Sequence, residues 1–192
     1  MLRVLILNAS PREHGNIANM TEAIADEARS LQAEVTLLNA CGLQVRPCCG
    51  CMTCREKRTC VYPIDDAQRI LEYIRLCDIL VIGVPCYWGN MPGELKVVFD
   101  RIVYGLMKEN KYGIPQPLHK GKKAILLSTS TTPYPFNIWF GQSRGAIRAL
   151  RKILKWSGFK VCATIEFGGT RHRIVDDNVL RKCKKAIRRL LR

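Results

Sequence analysis

At 192 residues and 47% hydrophobic content, the chain can bury one good core and is short for two, so a single domain over residues 1–192 is expected. No apolar run approaches the roughly 20 residues of a membrane helix, and the apolar part of MLRVLILNAS is too brief for a secretory signal, which predicts a soluble, unprocessed, cytoplasmic protein. A net charge of +15 favours anionic partners, and ten cysteines without an export signal point to metal binding or redox work rather than a disulfide scaffold.

LRVLIL opens the chain as a first strand, rich in Val, Ile and Leu without in-and-out alternation, the mark of a strand buried on both faces. It runs into NASPREHGNIANM, where Ser10, Pro11, Arg12, Gly15 and Asn16 precede a helix whose apolar face is Met20, Ile24, Ala28 and Leu31. Small and turn-forming residues at such a junction leave backbone N–H groups free to meet an anion, and the helix dipole adds partial positive charge there. Ser10 and Asn16 can donate side-chain hydrogen bonds, and Arg12 can offset the charge of a phosphate monoester. The plainer alternative is an ordinary turn in which Ser10 or Asn16 caps the helix. Neither G-x-G-x-x-G nor G-x-x-x-x-G-K-[ST] is present, so a mononucleotide such as FMN suits the loop better than a dinucleotide or a P-loop ligand.

EVTLL is the second strand, followed by a long connection over residues 39–64. Within it, a cysteine-rich loop at 41–62 carries CCGCMTCREKRTC, in which Cys48, Cys51, Cys54 and Cys60 give C-x2-C-x2-C-x5-C. Compact runs of this kind hold cluster irons, whereas structural zinc usually takes two separated C-x2-C pairs, so the spacing favours a [4Fe-4S] cluster over zinc and leaves metal-free thiols as the other reading. Cys49 is an extra thiol, able to replace Cys48 or stand by. Arg55, Lys57 and Arg58 either lower the thiol pKa values or are solvated loop charges. Asp65 or Asp66 is expected to cap the next helix, with Ile70, Leu71 and Ile74 on its buried face.

DILVIGV, the third strand, leads into PCYWGNMPGELKVVFDR. Pro85 fixes the turn, Tyr87 and Trp88 offer flat surfaces, and Asn90 with the amides of Gly89 and Met91 can meet the polar edge of a heterocycle. Cys86 reads as packing, and Lys96 with Asp100 as an i,i+4 pair on a helix buried through Leu95, Val98, Phe99 and Ile102. Residues 105–121 form a second long connection. KAILLSTS, the fourth strand, ends at Ser130 and Thr131 and opens a segment rich in hydroxyls and aromatics that would face the same crevice. A helix with Ile147, Leu150 and Leu154, a fifth strand KVCATIEF and a basic terminal helix, RKCKKAIRRLLR, complete the chain. The basic face reads as solvated rather than as a nucleic-acid or membrane patch, since no aromatics are interleaved for base stacking.

Five both-faces-buried strands alternating with helices define an α/β domain: a doubly wound parallel sheet of order 2-1-3-4-5, the flavodoxin-like arrangement, with helices on both faces. Ligands of such sheets sit at the C-terminal strand ends where the order reverses, so loops leaving strands 1, 3 and 4 should carry function.

Three motifs resemble one family. SPREHGN is similar to the S-P-R-x-x-G-N-[TS] phosphate loop of the flavodoxin-like NAD(P)H-dependent FMN reductases, with Ile17 standing where the family has a hydroxyl, so a backbone N–H or Asn16 must replace that donor. Pro85, Tyr87 and Pro92, then Leu95, Lys96, Asp100 and Arg101, match its P-x-Y-x-x-x-x-P and L-K-x-x-x-D-R segments. The cysteine run with Ile64, Asp65 and Asp66 resembles the cluster motif of the iron-sulfur flavoprotein branch. The resemblance implies an FMN-binding oxidoreductase taking electrons from NAD(P)H or a ferredoxin-like donor and passing them to a quinone, flavin, metal or iron-sulfur acceptor. The flavin carries the chemistry, no side chain is catalytic, and the assembly is a homodimer or homotetramer. An iron-sulfur flavoprotein that carries electrons or senses redox state without NAD(P)H turnover is the alternative, and a nucleic-acid-binding role is a third.

Overall fold

The computed structural model describes all residues 1–192. Its centre is a parallel sheet built from β1 (Arg3–Asn8), β2 (Glu34–Asn39), β3 (Ile79–Pro85), β6 (Lys123–Ser130) and β7 (Lys160–Gly168), in the order β2-β1-β3-β6-β7. Numbered within the sheet alone, this is the expected 2-1-3-4-5. The crossover helices are α1 (Asn16–Ser30), α3 (Asp66–Leu76), α4 (Gly93–Arg101) and α7 (Gln142–Ser157), with α8 (Asp177–Leu191) closing the chain.

The continuous apolar runs explain the layering. Alternate residues of the central strands feed opposite cores: Leu5, Leu7, Leu80 and Ile82 pack with α3, α4 and α7, while Val4, Ile6, Ile79 and Val81 pack with α1 and α8. The sheet edges β2 and β7 are only partly buried. On α8 the stripe Val179, Cys183, Ile187 turns inward and the lysines and arginines turn outward, as the sequence pattern requires. Asp65 caps α3 in a reciprocal capping box with Gln68.

Two local expectations need correction. Leu31 falls just beyond α1 and is exposed rather than continuing its buried face, because the chain turns there to reach β2. Residues 105–121 are structured: after the short α5 (Val103–Leu106), β4 (Met107–Glu109) pairs antiparallel with β5 (Pro115–Pro117). This ribbon is invisible to apolar periodicity because each strand is three residues long and β5 contains two prolines, which are tolerated at an edge where their missing N–H costs nothing. Buried His119 closes it, with Nε2 3.1 Å from the carbonyl oxygen of Gly105.

Burial pushes the Cys77 thiol up to about 11 and Cys183 up to about 12. Alkylation by iodoacetamide near pH ~8 should therefore modify exposed Cys48, Cys49, Cys51 and Cys162 while sparing Cys77 and Cys183 until denaturant is added, as read by peptide mass spectrometry. The same shifts set a pH window. Unfolded thiols ionise first, so the stability that these two contribute is intact below the ordinary value of 9.0 and is lost as pH rises toward their folded values.

Candidate active site at the switch point

The first loop forms where β1 ends against β3. Asn8 Oδ1 accepts from the Ser10 N–H at 2.9 Å, Ser10 Oγ accepts from the Arg12 N–H at 3.2 Å, and the Gly15 N–H reaches the Arg12 carbonyl at 3.2 Å. These short-range bonds wind residues 8–15 into a compact turn that delivers the chain into α1. Gly15 is the N-cap residue and no side chain caps the helix, so the N–H groups of its first turn stay open toward the crevice. A Cβ on Gly15 would lie 2.9 Å from Arg12 Cβ, which is why glycine stands there.

Asn16 lines the crevice, but its side chain is in large part committed elsewhere. Its Nδ2 donates to the Arg173 carbonyl at 3.2 Å and its Oδ1 accepts from the Val175 N–H at 2.8 Å, which latches the segment before α8 onto the start of α1. Of the two ways to replace the donor missing at Ile17, the uncapped backbone N–H groups are fully open, whereas Asn16 keeps only the second N–H of its amide.

The crevice encloses about 110 Å³ and is lined by Ser10, Arg12, Gly15, Asn16 and Ile17 on one side and by Pro85, Cys86, Tyr87, Ser130 and Thr131 on the other. Ten of the fourteen cofactor positions expected from sequence are thus brought together. Pro11, Thr129 and Thr170 join them. Thr170 follows the end of β7, outside the loops after the first, third and fourth strands where the switch-point rule places function; the hydroxyl after Gly168 and Gly169 is its signal in the sequence.

The remaining four expected positions, Trp88, Gly89, Asn90 and Met91, lie outside this lining. Tyr87 and Asn90 exchange backbone hydrogen bonds at 3.0 and 2.9 Å, and Trp88 and Gly89 both have positive φ, 54° and 71°, which defines a two-residue hairpin turn of the primed type. Glycine accepts that conformation freely. A bulky aromatic does not, and Trp88 is held there fully exposed, 101% relative to an extended reference. Met91 is a core residue against α4 and α7, and Asn90 Oδ1 is used by the Met91 N–H at 2.8 Å. The turn rests on α7: a Cβ at Gly145 would sit 2.0 Å from the Gly89 carbonyl oxygen. Gly145→Ala should accordingly cost about 1–3 kcal/mol in urea unfolding, the range for overpacking, by displacing the turn that follows β3.

Cys86 is half-buried, with Sγ 3.5 Å from Gln142 Oε1, and burial raises its thiol pKa. It is a neutral thiol in the cleft wall, which agrees with the packing role. Past β6, α6 (Phe136–Trp139) carries exposed Trp139, with Phe136 and Phe140 stacked at 5.8 Å, and none of these rings lines the crevice.

The cysteine loop leaves β2 and includes α2 (Thr53–Lys57). Cys48, Cys49, Cys51, Cys54 and Cys60 all line one small cavity of about 50 Å³, walled by Val61, Tyr62, Val103 and Tyr104. No three Cys, His, Asp or Glu side chains converge closely enough to form a metal centre. Hydrogen bonding to Thr53 lowers the Cys51 pKa, and burial raises that of Cys54.

The cation that meets this loop is not one of those inside it. Arg55 is committed to Glu109 at 2.7 Å and Tyr104 Oη at 3.1 Å. Arg101, at the end of α4, is buried: Nε donates to Cys60 Sγ at 3.3 Å, Nη1 donates to the Arg46 carbonyl at 2.7 Å and lies 2.8 Å from Asp65 Oδ2, and Nη2 has no partner. The guanidinium also lies 4.7 Å from the Tyr62 ring centroid. The signal was present in the sequence, since Arg101 follows Val98 by one helical step and sits at the margin of the apolar stripe. Lys96 and Asp100 form the expected exposed pair, at 2.6 Å.

A doubly wound parallel sheet with an uncapped helix N-terminus at its switch point defines a flavodoxin-like protein. The chain belongs to that family: the model for the flavodoxin-like fold matches residues 2–191. It is 30% identical over 119 residues to an iron-sulfur flavoprotein of Methanocaldococcus jannaschii, covering 58% of this chain and 59% of the relative. It is 27% identical over 145 residues to FMN-dependent NADH:quinone oxidoreductase 3 of Pseudomonas aeruginosa, covering 67% and 65%. Among solved structures, an FMN-dependent NADH-azoreductase of Bacillus anthracis in complex with FMN superposes with a TM-score of 0.79 at 18% identity over the whole of both chains. The chain thus spans about three-fifths of the iron-sulfur flavoprotein's length in alignment. No helix is long and apolar enough to cross a membrane.

Proposed function

We propose that this protein is an FMN-dependent oxidoreductase that accepts reducing equivalents from NAD(P)H or a ferredoxin-like donor and passes them to a small acceptor such as a quinone, flavin or metal ion. The observation that carries the reading is the open N-terminus of α1 inside a crevice built by Ser10, Arg12, Gly15 and Ile17, at the point where the sheet order reverses. The first-turn N–H groups and Arg12 would hold the FMN phosphate, and the Thr129–Thr131 strand end with Thr170 offers hydroxyls to the ribityl chain. Tyr87 and Cys86 would border the ring, while Trp88, Gly89, Asn90 and Met91 shape the turn that carries Tyr87. Bound there, FMN would supply hydride acceptance and onward electron delivery. No side chain in the crevice is needed as an acid or base; the protein positions the ring and supplies the cationic field around the phosphate.

The residues of the cysteine loop fit a [4Fe-4S] cluster in kind and spacing, although the thiols must draw closer together to hold one. Four thiols in the required run share one apolar cavity, and a buried arginine with an unpartnered N–H faces one of them, as suits a group that is anionic when held by four thiolates. Cys48, Cys51, Cys54 and Cys60 are the ligands under this reading, and the relatives named iron-sulfur flavoproteins support it. The same loop supports the second reading, an electron carrier or redox sensor without NAD(P)H turnover. The family resemblance also supports a homodimer or homotetramer.

Steady-state oxidation of NADH and NADPH by the purified protein, with excess quinone or ferricyanide, tests the enzyme. Oxidation no faster than in a heat-inactivated control would leave the carrier. Anaerobic purification with FMN, iron and acid-labile sulfide counted per chain tests the cofactors; about four irons with four sulfides establishes the cluster.

A further inference from the structure

Beside the cysteine loop lies a second, larger cavity that shares no lining residue with the switch-point crevice. It measures about 430 Å³ and opens between the loop, α3 and the α4–α5 junction. That volume lies in the range of small-molecule sites, roughly 300–1,000 Å³. Its floor is apolar, with Leu71 and Ile102 flanked by the rings of Tyr62 and Tyr104. Its wall also contains Cys54 and Cys60, the last two cysteines of the run.

The charge around it is one-sided. Arg58, Arg69, Arg75 and Arg101 line the cavity, against a single acid, Glu72. Arg75 pairs with Glu72 and Arg69 with Asp66, outside the lining. Arg58, at the left-handed C-cap of α2, makes no side-chain hydrogen bond or ion pair at all, although it stands at the mouth of an apolar cavity. Nothing in the flavin chemistry requires these arginines. An apolar floor beneath a guanidinium rim in which Arg58 alone has no acidic partner is complementary to a ligand with a flat hydrocarbon body and an anionic group at one end.

We propose that this cavity binds a small aromatic organic anion of the sulfonated or carboxylated quinone type, with its ring system on Leu71, Ile102 and Tyr104 and its anionic group between Arg58 and Arg75. A ligand so placed lies against Cys54 and Cys60. This deepens the oxidoreductase reading and rests on it for its meaning: the acceptor has a site at the cysteine end of the molecule, distinct from the crevice that takes FMN. The binding claim itself stands without turnover.

The test is equilibrium titration of the purified, FMN-saturated protein with anthraquinone-2-sulfonate, followed by fluorescence quenching or calorimetry, beside the neutral 2-(hydroxymethyl)anthraquinone. One saturable site is expected, with the sulfonate favoured by about tenfold or more, since a charge-assisted pair is worth at least that factor. Arg58→Glu and Arg75→Glu should each weaken the sulfonate by about tenfold or more and leave the neutral compound unaffected. Arg58 is exposed and unpaired, so its replacement does not threaten the fold. Absence of saturable binding, equal affinity for the neutral compound, indifference to both substitutions, or release of the bound FMN by the sulfonate would each overturn the proposal. A protein that binds FMN but not the sulfonate loses this site alone; one that binds the sulfonate but no FMN loses the oxidoreductase reading instead.

Discussion

Replacing Ser10 with aspartate is expected to abolish useful FMN binding while leaving the protein folded. Ser10 Oγ accepts the Arg12 N–H, and an aspartate carboxylate can accept the same bond, so the turn survives the substitution. What changes is the sign of the field at the mouth of α1. The open N–H groups there favour an anion, and a carboxylate built into the turn occupies that favourable potential and repels a phosphate. Two unit charges about 4 Å apart interact by about 4 kcal/mol at the effective dielectric of a partly exposed site. Allowing for relaxation, the loss should be about a hundredfold or more in affinity, read by quenching of FMN fluorescence on titration. Ser10→Asn is the control. It keeps the turn acceptor and adds no charge, and should remain within about tenfold of the unsubstituted protein. Equal affinity in both variants would mean that the phosphate is not held at this helix terminus.

The second large effect is on stability. Arg101→Met should destabilise the fold by roughly 3 kcal/mol, measured by urea unfolding, the low end of the range for removing one partner of a buried ion pair. The guanidinium is the link between α4 and the loop, bonded at once to the Arg46 carbonyl, Asp65 and Cys60. Methionine fills most of the space but leaves the carbonyl and carboxylate without their donor, and Asp65, being only partly exposed, recovers part of the loss from water. Because Asp65 also caps α3, the first turn of that helix should lose protection from hydrogen exchange in the variant. Arg101→Lys should recover little, since an ammonium group cannot address three partners in one plane. A loss under about 1 kcal/mol for Arg101→Met would show that the loop is not anchored through this side chain.

How far the sequence could be read depended on the range of the interaction. The sheet order and the helices on both faces followed from apolar runs and their spacing, because burying those residues on both sides of a strand leaves few alternatives. The phosphate loop was legible for a similar reason: Ser10, Pro11 and Gly15 act over a few residues, and the structure closes them by bonds between near neighbours. Asn16 was misread. Its partners lie 157 and 159 residues away, and no local pattern distinguishes a side chain that meets a ligand from one that meets the other end of the chain. Trp88 was misread for a different reason. Aromatics after a strand suggest a ring-binding surface, but the hydrogen bonds between Tyr87 and Asn90 make a tight turn that sends the indole outward. The cations of the cysteine loop were sought within the loop itself, whereas the one that touches a sulfur arrives from α4.

The bonds from Asn16 to residues 173 and 175 also bear on when the anion site can exist during synthesis. Asn16 leaves the ribosome well before its partners, which lie 157 and 159 residues further along the chain. Until then α8 is missing, so α1 lacks both the helix it packs on and the bonds that latch Asn16. A nascent chain therefore presents the motif before the segment that latches it, and the cradle is finished only once residues 173–175 have been made. Shortening the chain before residue 173 should cost the cofactor site first, although every residue of the phosphate loop would still be present.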